Sequence, residues 1–233
     1  MEKIMLLFDI DGTLIYSGGA GIRSIEKSFI KLYGLKNAME NISPDGKTDP
    51  LIIEEVFLDK LNRKPSLDEV KRVLAVYLEN LKVEIYNEKY KVFEGVIDFL
   101  EWAQKTEKFI LGLATGNLEE GAKIKLKPSG LLRYFEFGGY ASDSPERSEI
   151  LKRAYERGNQ IAIRGKFKIK EVFVIGDTPR DILAAKRAGF LSIGMALFNH
   201  SKKELLKAGA NYAFESYKEL KKFLSQYISS SEG

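Results

Sequence analysis

Cysteine is absent from this 233-residue chain. Disulfides and a thiolate zinc site are therefore excluded. Histidine occurs once, at position 200, so a catalytic histidine base or a histidine cluster is nearly ruled out. No apolar stretch reaches the roughly 20 residues that a membrane helix needs, and no membrane partner is expected. Signal-peptide features are lacking ahead of the first strand pattern, which points to a cytoplasmic location. Neither sign of charge is in large excess. The 37 Lys and Arg face 33 Asp and Glu, a net of +4 spread along the chain. No basic run is long enough to suggest nucleic acid. Internal repeats and low-complexity segments are missing too. What is present, 44% hydrophobic and 30% charged residues, is an ordinary globular composition. The length allows one large domain, or a core with a smaller second domain.

The most informative segment is Ile4-Met5-Leu6-Leu7-Phe8-Asp9-Ile10-Asp11-Gly12-Thr13-Leu14. Five consecutive apolar residues, 4–8, suit a strand buried on both faces. Asp9 and Asp11 follow where that strand leaves its sheet. In open α/β sheets this carboxyl edge is where ligands bind. Two carboxylates so close repel each other. A cation relieves the repulsion, or one of the pair holds a proton.

Further strand-like runs fall at 109–114, 172–175, 191–195 and 212–214, with a weaker one at 135–140. Helical patterns occupy 117–126, 148–157, 180–188, 202–208 and 218–228. This alternation predicts an α/β fold, a Rossmann-like doubly wound parallel sheet. Residues 15–90 break the alternation. They show helical patterns at 22–32, 50–61 and 67–85 and no confident strand. Asp49-Pro50 reads as an N-cap and N1 proline, and Ser66 with Glu69 has capping-box spacing. An all-helical domain, 16–90, is thus inserted into a core of 1–15 and 91–233. Ser17-Gly18-Gly19-Ala20-Gly21 is a natural hinge for such a lid. Trp102, Tyr86, Tyr90 and Phe93 are expected in the core or domain junction, His200 at the surface or in the helical domain. The tail, 229–233, is expected to fray.

Four segments project from the carboxyl edge of this sheet. Asp9, nearest the strand end, suits a nucleophile that attacks phosphorus. Asp11 is placed to give a proton to the leaving oxygen and later take one from water. Gly176-Asp177-Thr178-Pro179-Arg180-Asp181 adds Asp177, and the all-oxygen set suits Mg²⁺. Thr115-Gly116-Asn117 offers a hydroxyl and helix-opening amides to an anion. Arg147 would neutralise phosphoryl charge, and Asp181 would orient Arg147 or a metal-bound water. Each motif alone is more often a turn or a cap. Their joint order after apolar strands is what carries chemistry.

With these residues the chain resembles the haloacid dehalogenase superfamily, in its phosphoglycolate-phosphatase-like branch. The first motif matches Asp9 to Leu14, the second Thr115 to Asn117, and the fourth Gly176 to Asp181. The third departs, since Arg147 stands where the family usually has a lysine before a proline. The resemblance implies a helical cap between the first two motifs. Gly46-Lys47-Thr48-Asp49 looks like the cap loop that reaches the substrate. It also implies Mg²⁺-dependent phosphotransfer to a small phosphorylated metabolite, in a monomer or homodimer. Asp9 and Asp177 would hold the metal with the main-chain carbonyl of Asp11. A carboxylate at position 11 excludes the dehalogenase and phosphonatase branches. A phosphatase is the better reading and a β-phosphoglucomutase-like mutase the alternative. A receiver-type signalling module, a non-catalytic binding protein and an EF-hand fit the pattern less well.

Overall fold

A computed structural model of the chain describes residues 1–230. The chain opens with strand β1 (Glu2–Phe8) and a two-residue strand β2 (Ile15–Tyr16). Three helices follow, α1 (Ala20–Tyr33), α2 (Asp49–Leu61) and α3 (Leu67–Glu84), and then a second short strand, β3 (Lys91–Val92). Alternation starts with α4 (Val96–Lys105), β4 (Phe109–Ala114), α5 (Glu119–Leu126), a 3₁₀ turn and β5 (Phe137–Gly139). It continues with α6 (Arg147–Arg164), β6 (Lys168–Gly176), α7 (Pro179–Ala188) and β7 (Leu191–Met195). The chain closes with α8 (Lys202–Lys207), β8 (Tyr212–Phe214) and α9 (Tyr217–Ser230).

Six strands form one parallel sheet in the order β5-β4-β1-β6-β7-β8. The central position of β1 explains its unbroken apolar run. Side chains alternate across a strand. Ile4, Leu6 and Phe8 therefore face one way, onto Phe99 and Leu100 of α4 and Leu220 and Leu224 of α9. Met5 and Leu7 face the other way, onto Leu151 and Ala154 of α6 and Ala184 and Ala185 of α7. A sheet covered on both faces buries polar atoms badly, so no polar residue interrupts 4–8.

Helices α1, α2 and α3 pack round an apolar cluster of their own. Phe29, Phe57, Tyr77 and Leu81 lie at its centre, and Ile124 of α5 joins it from the sheet side. The Ser66–Glu69 capping box starts α3 as its spacing requires.

Several expectations need correcting. The segment 15–90 is not free of strand, because Ile15–Tyr16 pairs antiparallel with Lys91–Val92. The N-cap of α2 is Thr48, and Asp49 is already helical. Helix α4 has only ten residues, and its apolar pattern was hidden between two turn signals. Helix α6 begins at Arg147 and runs beyond 157 to Arg164. Within the glycine-rich segment, Asn87 donates to the Ser17 carbonyl (3.1 Å) and Arg23 to that of Gly18 (2.6 Å). Tyr86 is not a junction residue but lies 61% exposed, whereas Phe93 is buried. Ser229 and Ser230 complete α9, and the rest of the expected frayed tail lies outside the described residues.

Candidate active site

Asp9 leaves β1 with its amide donating to the Ile175 carbonyl of β6 (2.9 Å). This bond continues the ladder one residue past the strand and aims the side chain over the carboxyl edge. Asp177 leaves β6 on the same edge, and Thr13 donates its hydroxyl to it (3.2 Å). Gly12 turns the loop between them at φ +77°. A Cβ at Gly12 would lie 2.1 Å from Asp177 Oδ2, so only glycine lets the loop pass.

Carboxylate oxygens of Asp9, Asp177 and Asp181 gather within 4.8 Å of one another, all buried. Asp181 uses one oxygen for a capping box with Thr178 and pairs the other with Arg147. Arg147 also approaches Asp9, Nη2 to Oδ2 at 3.4 Å. The basic residue at the head of α6 and the acid in α7 are thus brought together as the sequence implied. Burial lifts the Asp9 carboxyl to about 6; Arg147 pulls it down, while Asp181 and Asp11 push it further up. Burial and the neighbouring carboxylates of Asp181 and Asp9 hold Asp177 well above the usual range. Buried carboxylates raised in this way are short of positive charge. The buried carboxylate oxygens of Asp9, Asp177 and Asp181, with no sulfur or imidazole among them, make a donor set that fits Mg²⁺. Asp9 and Asp177 could hold such an ion, with Asp181 beside them.

Asp11 lies in a different environment. Burial alone would raise its pKa, yet Lys125 and Asn117 outweigh this and bring it below the ordinary value. Lys125 Nζ donates to Asp11 Oδ2 (2.7 Å) and to Asn117 Oδ1 (2.5 Å). Asn117 Nδ2 donates to the same Asp11 oxygen (2.9 Å) and to Thr115 Oγ1 (2.8 Å). The adjacent carboxylates are therefore separated electrically, but with Asp9 raised and Asp11 lowered. Lys125, only 5% exposed, is the site residue that sequence reasoning missed. The available signal was its place four residues after Gly121 in α5, where the small residues Gly121 and Ala122 mark the inward face.

One expectation at the second motif changes. Helix α5 starts at Glu119, so the Gly116 and Asn117 amides do not open it. The Asn117 side chain is committed to Asp11, Thr115 and Lys125 and is not free for an anion. Thr115 remains beside Asp9 and lowers its pKa through a side-chain hydrogen bond.

Loop 44–49 from the helical segment closes the site. Asp49 N donates to the Gly116 carbonyl (2.8 Å), and Asp49 Oδ2 accepts from the Leu118 amide (2.8 Å). Thr48 Oγ1 donates to the Pro145 carbonyl (3.1 Å). A Cβ on Gly116 would stand 2.3 Å from the Lys47 carbonyl, so glycine admits the loop. Thr48 and Asp49 are buried against the core, and burial raises the Asp49 carboxyl to about 6 against the pull of Lys125. A cavity of about 160 Å³ remains between loop and sheet edge. Asp9, Asp11, Thr115, Lys125, Arg147 and Asp177 line it; His200 does not.

The family model of haloacid dehalogenase-like hydrolases matches residues 6–195, from β1 to the end of β7. The chain belongs to this hydrolase family. Among curated relatives of this hydrolase is a phosphoglycolate phosphatase from Aquifex aeolicus, 28% identical over 85% of this chain and 86% of that one. The pyrophosphatase PpaX of Halalkalibacterium halodurans is 27% identical over 81% of each. In structure, a predicted phosphatase from Clostridium acetobutylicum superposes with a TM-score of 0.72 at 24% identity, over 97% of this chain and all of that one. That likeness shows the shared α/β fold. No helix among the described residues is long and apolar enough to cross a membrane.

Proposed function

We propose that this hydrolase is a Mg²⁺-dependent phosphomonoesterase that acts on a small phosphorylated metabolite, in the manner of phosphoglycolate phosphatases, through a phosphorylated Asp9. The observation that carries the reading is one cavity lined by Asp9, Asp11, Asp177, Arg147 and Thr115. Mg²⁺, which Asp9 and Asp177 would hold, would supply positive charge at this end of the cavity.

An Asp9 oxygen bonds to phosphorus as the bond to the leaving oxygen breaks. Arg147, 3.4 Å from Asp9, offers its guanidinium to the equatorial oxygens, whose charge is spread in the transition state. Asp11 protonates the leaving oxygen. Water then attacks phosphorus, Asp11 takes its proton, and phosphate departs with Asp9 restored. Lys125 and Asn117 hold Asp11 as the carboxylate that the second half needs. The first half needs Asp11 protonated; that proton passes to it from the monoanion of the phosphate ester, whose second pKa is about 6, and the proton Asp11 later takes from water is released to solvent or kept for the next turnover. In this reading residues 16–90 are the cap and 1–15 with 91–233 the core. Loop residues Thr48 and Asp49 seal the site against water.

The test is phosphate release from a panel of phosphorylated metabolites with Mg²⁺. Release should stop with a chelator and return with added Mg²⁺. Asp9→Asn should lower it at least a thousandfold, because it removes the nucleophile. Turnover that persists in that variant sinks the reading. Isomerisation of a hexose 1-phosphate without free phosphate would identify a mutase instead.

A further inference from the structure

The helical segment gives the cavity an apolar patch. Ile22 and Ile25 come from α1, Ile52 from α2 and Tyr77 from α3, and all four line the same cavity. Tyr16 and Phe198, also on the lining, pack ring to ring, 4.9 Å between centroids. Each of the three cations on the lining already faces a carboxylate. Arg147 lies against Asp181 and Asp9, where the phosphoryl group itself would bind. Lys125 is taken by Asp11, and Lys47 pairs with Glu55 on α2. Arg23, one residue past Ile22, turns away to Glu84. The lining carboxylates, in contrast, include Asp45 and Asp49 on the cap loop besides Asp9, Asp11 and Asp177.

A metal ion and the Arg147 guanidinium match one phosphoryl group. A second anionic group would then sit among isoleucines, the Tyr77 ring and the Asp49 carboxylate, with no cation that is not already paired. Leaving a buried charge unpaired costs far more than burying a methyl group. The cavity is about 160 Å³, close to an engineered cavity of about 150 Å³ that admits benzene. Such a space takes a phosphoryl group and only a few carbons.

We infer that the preferred substrate is a compact phosphomonoester whose alcohol half is uncharged and branched or apolar, not one bearing a carboxylate or a second phosphate. This rests on the phosphomonoesterase reading, and it sets this chain apart from relatives named for phosphoglycolate and pyrophosphate.

Isobutyl phosphate and phosphoglycolate form a matched pair, because a dimethyl branch replaces a carboxylate of similar shape. With Mg²⁺ and the intact chain, kcat/KM for isobutyl phosphate should exceed that for phosphoglycolate and for pyrophosphate by at least about tenfold. Two variants should move the ratio the other way. Glu55→Gln frees Lys47, and Ile22→Lys adds a cation at a position 41% exposed, where folding tolerates it. Each should improve phosphoglycolate relative to isobutyl phosphate by roughly two- to fivefold. Equal or better turnover of phosphoglycolate or pyrophosphate by the unmodified chain overturns the inference and leaves the phosphomonoesterase reading intact. Absence of phosphate release from every ester overturns both.

Discussion

Asp49 is the residue whose removal should make this protein more stable. Its carboxyl is 5% exposed, and burial lifts its pKa from 3.8 to about 6. The folded state therefore holds this proton more tightly than the unfolded chain. Below pH 3.8 the group is neutral in both states and costs nothing. As pH rises from 3.8 to about 6 the unfolded state gains, and above 6 the deficit is constant. Two pKa units at 1.36 kcal/mol each make it about 3 kcal/mol. Asn at this position carries no charge, and its carbonyl oxygen can still accept from the Leu118 amide. Asp49→Asn should then gain up to about 3 kcal/mol at pH 7.5. Urea unfolding of both proteins at pH 7.5 and pH 4 measures it through the difference between their midpoints. That difference should be large at pH 7.5 and nearly vanish at pH 4. Equal midpoints at pH 7.5, or a gain independent of pH, refutes the argument.

Two further substitutions follow from the site. Lys125→Met removes the cation that holds Asp11 below its ordinary pKa, so that pKa rises. The acid limb of the pH–rate profile should move to higher pH and kcat fall at least tenfold, which initial rates across pH will show. Gly116→Ala puts a methyl group 2.3 Å from the Lys47 carbonyl and forces loop 44–49 off the sheet edge. KM should rise and kcat fall about tenfold with little change in thermal midpoint, as steady-state kinetics and calorimetry will read.

The strand-end acids were legible because two signals coincide there. An apolar run such as 4–8 has few uses other than a central strand, and charge straight after it must lie on the ligand edge. Asp177 and Thr115 follow the same logic on β6 and β4. Lys125 was not legible. It sits in Lys123-Ile124-Lys125-Leu126-Lys127, where three lysines alternate and only the helix phase tells the buried one from its exposed neighbours. Thr48 escaped as the cap of α2 because Asp49-Pro50 looks the better start. Asp49 instead spends its carboxylate on an amide 69 residues away, a contact no local pattern encodes. Strand β6 begins four residues before its apolar stretch, since Lys168 to Glu171 lie at the rim of the sheet where charge is tolerated. The short ribbon of β2 and β3 escaped because two residues carry no periodicity.

That ribbon has an evolutionary consequence. Ile15 stands opposite Val92 and Tyr16 opposite Lys91, so the helical segment departs and returns through one doorway. Paired residues in such a ladder are about 5 Å apart. Closing a chain whose ends already touch costs little more for a long insert than for a short one, about 0.6 kcal/mol per doubling. A change in the length of the segment between the two strands therefore need not disturb the register of the sheet that carries Asp9 and Asp177. On the proposed function, selection could then reshape what the cavity admits without touching the residues that would cleave it.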